Sequence, residues 1–237
     1  MGATILRMFH TRNDLDPDFA ATAALLGDAS RARILQALAD GRALPATELA
    51  RSAVMAAHQA IDAVRRALPS TGVLAFDVGA HTHQIASQWT AHSPRSFLIT
   101  NGWSSMGFGL PAAIAAKLAR PDLSVVCLIG DGCFQMTCGE VATAKRLGIT
   151  LPIVVLDDKW LALIKVKQIR RQFPLYGTAL QDEDYREPPA HYFGVPARGV
   201  RSAPALEEAV TAALAARGPT VIEAVVDSEH YVDTVYD

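Results

Sequence analysis

Nothing in this sequence occurs in the excess that would mark a special class of protein. Only three cysteines occur in 237 residues, Cys127, Cys133 and Cys138. They cannot all pair and none lies in a CxxC, which argues against a disulfide framework, a zinc site or a dithiol redox centre and suits a reducing cytoplasm. Charge of one sign is lacking too: 22 Lys plus Arg against 24 Asp plus Glu leaves a net charge of −2. Such a balance offers no basic field for nucleic acid or an anionic membrane. No apolar run approaches the roughly 20 residues of a spanning helix, and the N-terminal MGATILRMFHTRNDLDPDF has no sustained apolar core, so neither an anchor nor a signal peptide is expected. With 50% hydrophobic and 19% charged residues, the chain can build one full-sized globular domain and a modest appendage.

What is present has a recognisable rhythm. From Pro17 to Ser52 alanine and leucine recur at helical spacing, and Gly27 and Gly41 mark two helix ends. A further helix is expected from Val54 to Leu68, with Val54, Ala57, Ile61, Val64 and Leu68 on one stripe and Pro69 and Gly72 closing it. Beyond it, continuous Val/Ile/Leu runs of strand length at Val73–Phe76, Ser124–Ile129, Pro152–Leu156 and Val221–Val226 read as buried parallel strands. Helical patterns intervene at Met106–Leu118, Gly139–Leu147, Trp160–Arg171 and Ala205–Ala216. The expected fold is therefore α/β: a doubly wound parallel sheet with helices on both faces over residues 54–237, preceded by a small helical segment, residues 1–53. The least regular stretch, Phe173–Pro189, reads either as a mobile loop beside a site or as a solvated connection.

Chemistry concentrates at Gly130-Asp131-Gly132-Cys133-Phe134-Gln135-Met136, directly after an apolar strand. Such positions, at the carboxyl ends of parallel strands, are where open sheets bind ligands. The glycines let backbone approach an anion, and a carboxylate between them repels phosphate unless a cation intervenes, so Asp131 calls for a metal. Asp157 and Asp158 end the next apolar run. Magnesium, held by one or two carboxylates plus phosphate oxygens, suits Asp131, one of that pair and a diphosphate. The competing account makes the pair a solvated cap for a helix starting near Trp160.

The stretch GDGCFQMTCGEVATAKRLGITLPIVVLDD, with Asp131 and Asp158 27 residues apart, the upstream NGWSSMGFGLPAAIAAK and the DVGAH element resemble the C-terminal diphosphate-binding domain of acetolactate synthase-like thiamine-diphosphate enzymes. The similarity runs in register from about Val54 to Val226. It implies thiamine diphosphate and Mg2+ as cofactors. Asp131 and Asp158 would hold the metal by their side chains and Trp160 by its carbonyl. Gly130 belongs to the same phosphate-facing turn, Gly132 and Cys133 would offer amides to the phosphates, and Gly79 and His81 would touch them from the neighbouring loop. Met106 would support the bent cofactor, and the Ser104 carbonyl would face the pyrimidine amino group. Without the resemblance, Met106 reads as core and His81 as a structural histidine.

Two departures from the family stand out: Asp158 where Asn is common, and Lys167 where acetolactate synthases carry a Trp that helps select the acceptor. Lys167 could meet an anionic substrate or stand on a solvated helix face. The family's activating glutamate lies on a separate pyrimidine-binding domain, and nothing before Val54 resembles one; Glu48 lacks its surroundings. The catalytic acid is therefore expected from a partner, a pyrimidine-binding-domain subunit, within a homo- or hetero-oligomer acting on a 2-oxo acid by decarboxylation or carboligation. The alternative is a catalytically inactive cofactor-binding or interaction module.

Two other patterns compete. Gly107-Phe108-Gly109-Leu110-Pro111-Ala112 matches GxGxxA, with Asp131 downstream as a ribose acid. That dinucleotide fingerprint needs a strand running straight into its first glycine, whereas ITNGWSS intervenes. Residues 25–53, LLGDASRARILQALADGRALPATELARSA, resemble the opening helices of ArsR-type winged-helix regulators. A DNA reader needs a recognition helix for the major groove, and the chain passes instead into the helix near Val54. Nucleic acid is not an expected partner, and the segment reads as a fused relic, a contact surface or simple helical packing.

Overall fold

The apolar runs become the centre of a sheet because their side chains alternate between two dry faces. In the computed structural model, which describes residues 54–180, 187–232 and 235, the strands are β1 (Met55–Ala56), β2 (Val73–Phe76), β3 (Phe97–Leu98), β4 (Val125–Gly130), β5 (Leu151–Asp157), β6 (His191–Tyr192), β7 (Val195–Val200) and β8 (Pro219–Asp227). They run in the order β3-β2-β4-β5-β8-β7-β6, with β1 pairing the end of β8. All pairings are parallel except the β6–β7 hairpin.

Each strand feeds two cores. Leu74, Phe76, Val126, Leu128, Val154, Leu156, Ile222 and Ala224 pack on one face against helices α1 (Ala57–Ala67) and α7 (Ala203–Ala215). The alternate residues Val73, Ala75, Val125, Cys127, Ile129, Ile153, Val155 and Val221 face α3 (Gly109–Ala119), α4 (Asp131–Thr137) and α5 (Glu140–Arg146). This period-2 division of a continuous apolar run is what a strand buried on both sides requires. A smaller cluster joins Ala57, Ala80, Ala162, Val166 and Tyr231, where α2 (Ala80–Gln88) and α6 (Ala162–Arg170) meet a 3₁₀ turn at Ser228–Tyr231. No helix among the described residues is long and apolar enough to cross a membrane.

The doubly wound reading agrees with the structure, with corrections at several boundaries. The helix expected from Val54 starts at Ala57, because Met55 and Ala56 pair with Val226 and Asp227 as a short strand. The helix expected from Met106 starts at Gly109, and that expected from Trp160 starts at Ala162. The turn expected after Gly130 is itself helical from Asp131, with Gly130 as the last strand residue. Helix α2 and the strands β3, β6 and β7 have no counterpart among the expectations. The AHTHQIASQ of α2 is too polar to show a stripe, and Val195–Val200 is buried only at its two ends. The helical reading of 17–52, the ArsR-like stretch, Glu48 and residues 181–186 lie outside the described residues.

Candidate functional site

Strand order decides where a site can form. From β2 the chain moves outward to β3 and then returns to the other side of β2 for β4, so the helices leaving β2 and β4 diverge. Such a reversal leaves a crevice beyond the carboxyl ends of the two strands, the usual ligand position in this architecture. A cleft with about 100 Å³ of accessible room opens there. Gly79 and His81 after β2, Met106, Gly130, Asp131, Gly132 and Cys133 after β4, and Asp158 and Trp160 after β5 all line it. Ser104 does not: it is exposed, with φ 49°. Leu161, Ala162, Leu163 and Ile164 at the start of α6 complete the wall; they had no polar signal to mark them in the sequence.

The glycines make room for a histidine. A Cβ on Gly79 would stand 2.8 Å from the His81 ring and one on Gly130 3.0 Å from it, so His81 is clasped between the ends of β2 and β4. It is 4% exposed, and its Nε2 has no partner within the protein. Burial pulls its pKa down to about 4, against the opposing pull of Asp77, so the ring is neutral. An unpartnered buried ring nitrogen is costly, and His81 is one of the residues that line the cleft. At Gly132 a Cβ would meet Leu161 at 2.9 Å and Leu180 at 3.3 Å, which keeps that wall bare.

The acids gather on one side. Asp131 is buried; its carboxylate accepts from its neighbour Gly132 N at 2.7 Å and from Lys159 N at 2.7 Å. Asp158 accepts from Trp160 N at 2.8 Å. This is a turn closed on itself and not a helix cap, since the cap position of α6 is Leu161. Asp158 lines the cleft and Asp157 does not. Burial, with Asp158 and Asp157 adding like charge, drives the Asp131 carboxyl well above the usual range. Burial likewise lifts Asp158 to about 7, with Asp157 contributing. Two carboxyls that raise each other's pKa at one cleft, Asp131 buried and Asp158 half-buried, favour a proton or a cation there. Among the described residues no three His, Cys, Asp or Glu side chains are placed to hold a metal. A cation here would thus take two carboxylates, a carbonyl and oxygens from a ligand or water, which is how magnesium is commonly held. The Gly132 amide, expected to face phosphate, is bonded to Asp131 in this structure. It becomes available only if that carboxylate turns away.

Asp77 was not among the expected site residues. Fully buried, its carboxylate accepts from the amides of Val78 (2.8 Å), Gly107 (3.0 Å) and Gly109 (2.8 Å). It ties the turn after β2 to the loop that carries Met106. These bonds also settle the GxGxxA pattern, because the Gly109 amide is taken by Asp77, and Gly109 lies close enough to Phe76 that a Cβ would come within 3.1 Å of its carbonyl carbon. The pattern serves packing. An isolated Asp after an apolar run was the available signal. Cys133 donates its thiol to the Val78 carbonyl at 3.0 Å, tying the first turn of α4 to the loop after β2, and burial pushes its pKa up, which disfavours the nucleophilic thiolate.

Lys167 is exposed on α6. The stretch after α6 is irregular, but its end is anchored: Trp160 bridges Ala179, Leu161 N donates to the Thr178 carbonyl at 2.8 Å and Leu180 N to the Lys159 carbonyl at 2.9 Å.

Comparison with known proteins places this architecture. Residues 77–224 match the family described as thiamine pyrophosphate enzyme, C-terminal TPP binding domain. The acetolactate synthase isozyme 2 large subunit of Escherichia coli (strain K12) is 35% identical over 161 residues, covering 67% of this chain and 29% of the relative. The putative thiamine pyrophosphate-containing protein YdaP of Bacillus subtilis (strain 168) is 29% identical over 174 residues, 73% of this chain and 30% of that protein. The chain thus spans less than a third of these relatives' length. Among solved structures, the thiamine diphosphate-dependent 4-hydroxybenzoylformate decarboxylase of Rhodococcus jostii RHA1 superposes with a TM-score of 0.66 at 26% identity, over 73% of this chain and 33% of that one.

Proposed function

This chain belongs to the thiamine pyrophosphate enzyme family through its C-terminal TPP-binding domain, and we propose that residues 54–237 hold the diphosphate end of thiamine diphosphate with Mg2+ as one half of a 2-oxo acid decarboxylase or carboligase. The observation that carries this reading is the convergence of four chain segments on one cleft. They bring the carboxylates of buried Asp131 and half-buried Asp158, a neutral histidine whose Nε2 has no partner within the protein, and bare glycine backbone within reach of one ligand. Such a donor set suits a metal-bridged diphosphate.

In this proposal Asp131, Asp158 and the Trp160 carbonyl hold the metal, while His81 Nε2 and the backbone at Gly79, Gly130, Gly132 and Cys133 contact phosphate. Met106 supports the ring end, and the Ser104 carbonyl meets the pyrimidine when the exposed 101–105 segment is covered. Bound thiamine diphosphate supplies the carbon nucleophile that adds to the 2-oxo group and the electron sink for carbon dioxide loss. The chain's own part is to bind, orient and dry the cofactor.

The catalytic glutamate is assigned to a pyrimidine-binding-domain partner. Trp103 is 96% exposed and Met136 62% exposed, and Ile164 at the cleft wall is half exposed. Large apolar side chains left in water beside a binding cleft support a covering partner in a homo- or hetero-oligomer.

Calorimetric titration with thiamine diphosphate, with Mg2+ and then with EDTA, tests this. Magnesium-dependent binding without 2-oxo acid turnover is expected for the chain alone, and Asp131→Ala is expected to abolish that binding while circular dichroism stays unchanged. Retention of binding by Asp131→Ala would overturn the metal assignment, turnover by the chain alone would overturn the half-site reading, and absence of binding even with a pyrimidine-domain protein added would leave an inactive module.

A further inference from the structure

Two different supports hold the wall of the cleft. Gly79 and His81 belong to a turn that locks itself: Thr82 Oγ1 donates to the Asp77 carbonyl at 2.7 Å and accepts from Gly79 N at 2.9 Å. Met106 stands at the end of a segment whose residues 101–105 are all exposed. That segment rejoins the protein at Gly107, whose amide lies 3.0 and 3.1 Å from the two oxygens of the Asp77 carboxylate. Gly109 N, the first amide of α3, donates to the same carboxylate at 2.8 Å, an acceptor that the cap residue Phe108 does not supply. Gly107 has φ 89°, and a Cβ there would stand 2.9 Å from Thr137 Cγ2, so position 107 is confined on both sides. Of residues 99–107 only Met106 lines the cleft, and its terminal methyl lies 3.5 Å from where a Gly132 Cβ would be. Asp77 Oδ1 accepts from Val78 and Gly107 and Oδ2 from Gly107 and Gly109. An Asn in its place would turn its NH2 toward an amide N–H whichever way it lay, so the arrangement calls for a carboxylate.

We propose that Asp77 is a specificity-determining positioning residue: through the amides of Gly107 and Gly109 it sets Met106 over Gly132 and so shapes the ring end of the cleft without touching the ligand. Asp77 itself does not line the cleft. Thr82 serves the phosphate end, because it closes the turn that carries Gly79 and His81, and it does so through the Asp77 carbonyl and not the carboxylate. The two ends of the site are therefore separable: loss of the carboxylate frees Met106 and leaves the turn of Gly79 and His81 closed. The assignment of ring and phosphate ends rests on the function proposed above; the hold of the Asp77 carboxylate on Gly107 and Gly109 does not.

The test is a pair of calorimetric titrations on the full chain at saturating Mg2+, one with thiamine diphosphate and one with inorganic diphosphate. Asp77→Asn is expected to weaken thiamine diphosphate about tenfold, the worth of one charge-assisted hydrogen bond, and to change inorganic diphosphate by less than about twofold. Thr82→Val is expected to weaken both ligands alike. A merely structural Asp77 would weaken both equally in Asp77→Asn, and that result would overturn the proposal. Met106→Ala decides the matter should Asp77→Asn fail to fold: it is expected to show the same selective loss, and an equal loss of both ligands would refute the positioning role. In the double variant Asp77→Asn/Met106→Ala the losses should not add, since both act through one contact. With no ligand present, amide hydrogen exchange at Gly107 and Gly109 should quicken in Asp77→Asn while Gly79 keeps its protection. Unchanged exchange at Gly107 and Gly109, with both ligands still bound by the wild type, would overturn this inference alone. Failure of the wild type to bind either ligand, a pyrimidine-domain protein added, would overturn the selectivity role together with the proposed function.

Discussion

A single neutral histidine illustrates how burial becomes a measurable property. His81 has an ordinary value of 6.5 and is lowered to about 4 in the folded protein, chiefly by burial. Below pH 6.5 the unfolded chain takes up a proton that the folded chain refuses, so stability present above 6.5 is lost progressively as pH falls toward 4. The shift corresponds to about 3 kcal/mol. Urea unfolding at pH 7 and pH 4.5 should show that loss in the wild type and a markedly smaller one in His81→Gln, the carboxylates contributing alike to both. Equal losses would place His81 in contact with water. Asp131 and Gly132 stood out in the sequence as an acid beside glycines directly after an apolar run, whereas His81 was reached only through the family resemblance. Asp77 escaped because its three amide partners lie 1, 30 and 32 residues along the chain, and no local pattern records such a distance.

Among the elements, α1 shows a clean division of labour. Ala60, Ile61, Ala63 and Val64 are buried against the sheet and α7 and Ala57 in the smaller cluster with α2 and α6, while Asp62 is exposed and receives Gln88 Nε2 at 2.9 Å. Ile61→Ala should cost about 3 kcal/mol, since a fully buried methylene-rich side chain leaves a cavity that neighbours on a rigid sheet cannot fill. Asp62→Ala should change stability by less than about 0.5 kcal/mol, its bond being solvent-exposed. Chemical denaturation of both decides it; similar costs would mean that the stripe does not face the core. The stripe was visible in the sequence because α1 is amphipathic. Helix α2 was not, because only Ala80, His81 and Ile85 of its nine residues are buried and two of those lie in its first turn beside the cleft.

Over the whole molecule the sheet grades from centre to edge. The central strands β4, β5 and β8 have six, seven and nine residues and pair on both sides, whereas β3 and β6 have two each and lie at the ends of the strand order. Amide hydrogen exchange should therefore be slowest in Val126–Ile129, Ile153–Leu156 and Val221–Val225, and fastest among the strands at Phe97–Leu98 and His191–Tyr192. Slow exchange at β3 would imply that this edge is covered in solution. The α/β class, the strands β2, β4, β5 and β8 and the cleft-lining turns after β4 and β5 followed from the sequence alone, because an apolar run buried on both faces and a carboxylate set between glycines are local patterns. Strand order, the reversal beside β2 that opens the cleft, the clasp of Gly79 and Gly130 on His81, and the hold of Asp77 on Gly107 and Gly109 were decided only by the tertiary structure. Each depends on which strand ends become neighbours, and that is set by the packing of both cores at once, not by any stretch of chain.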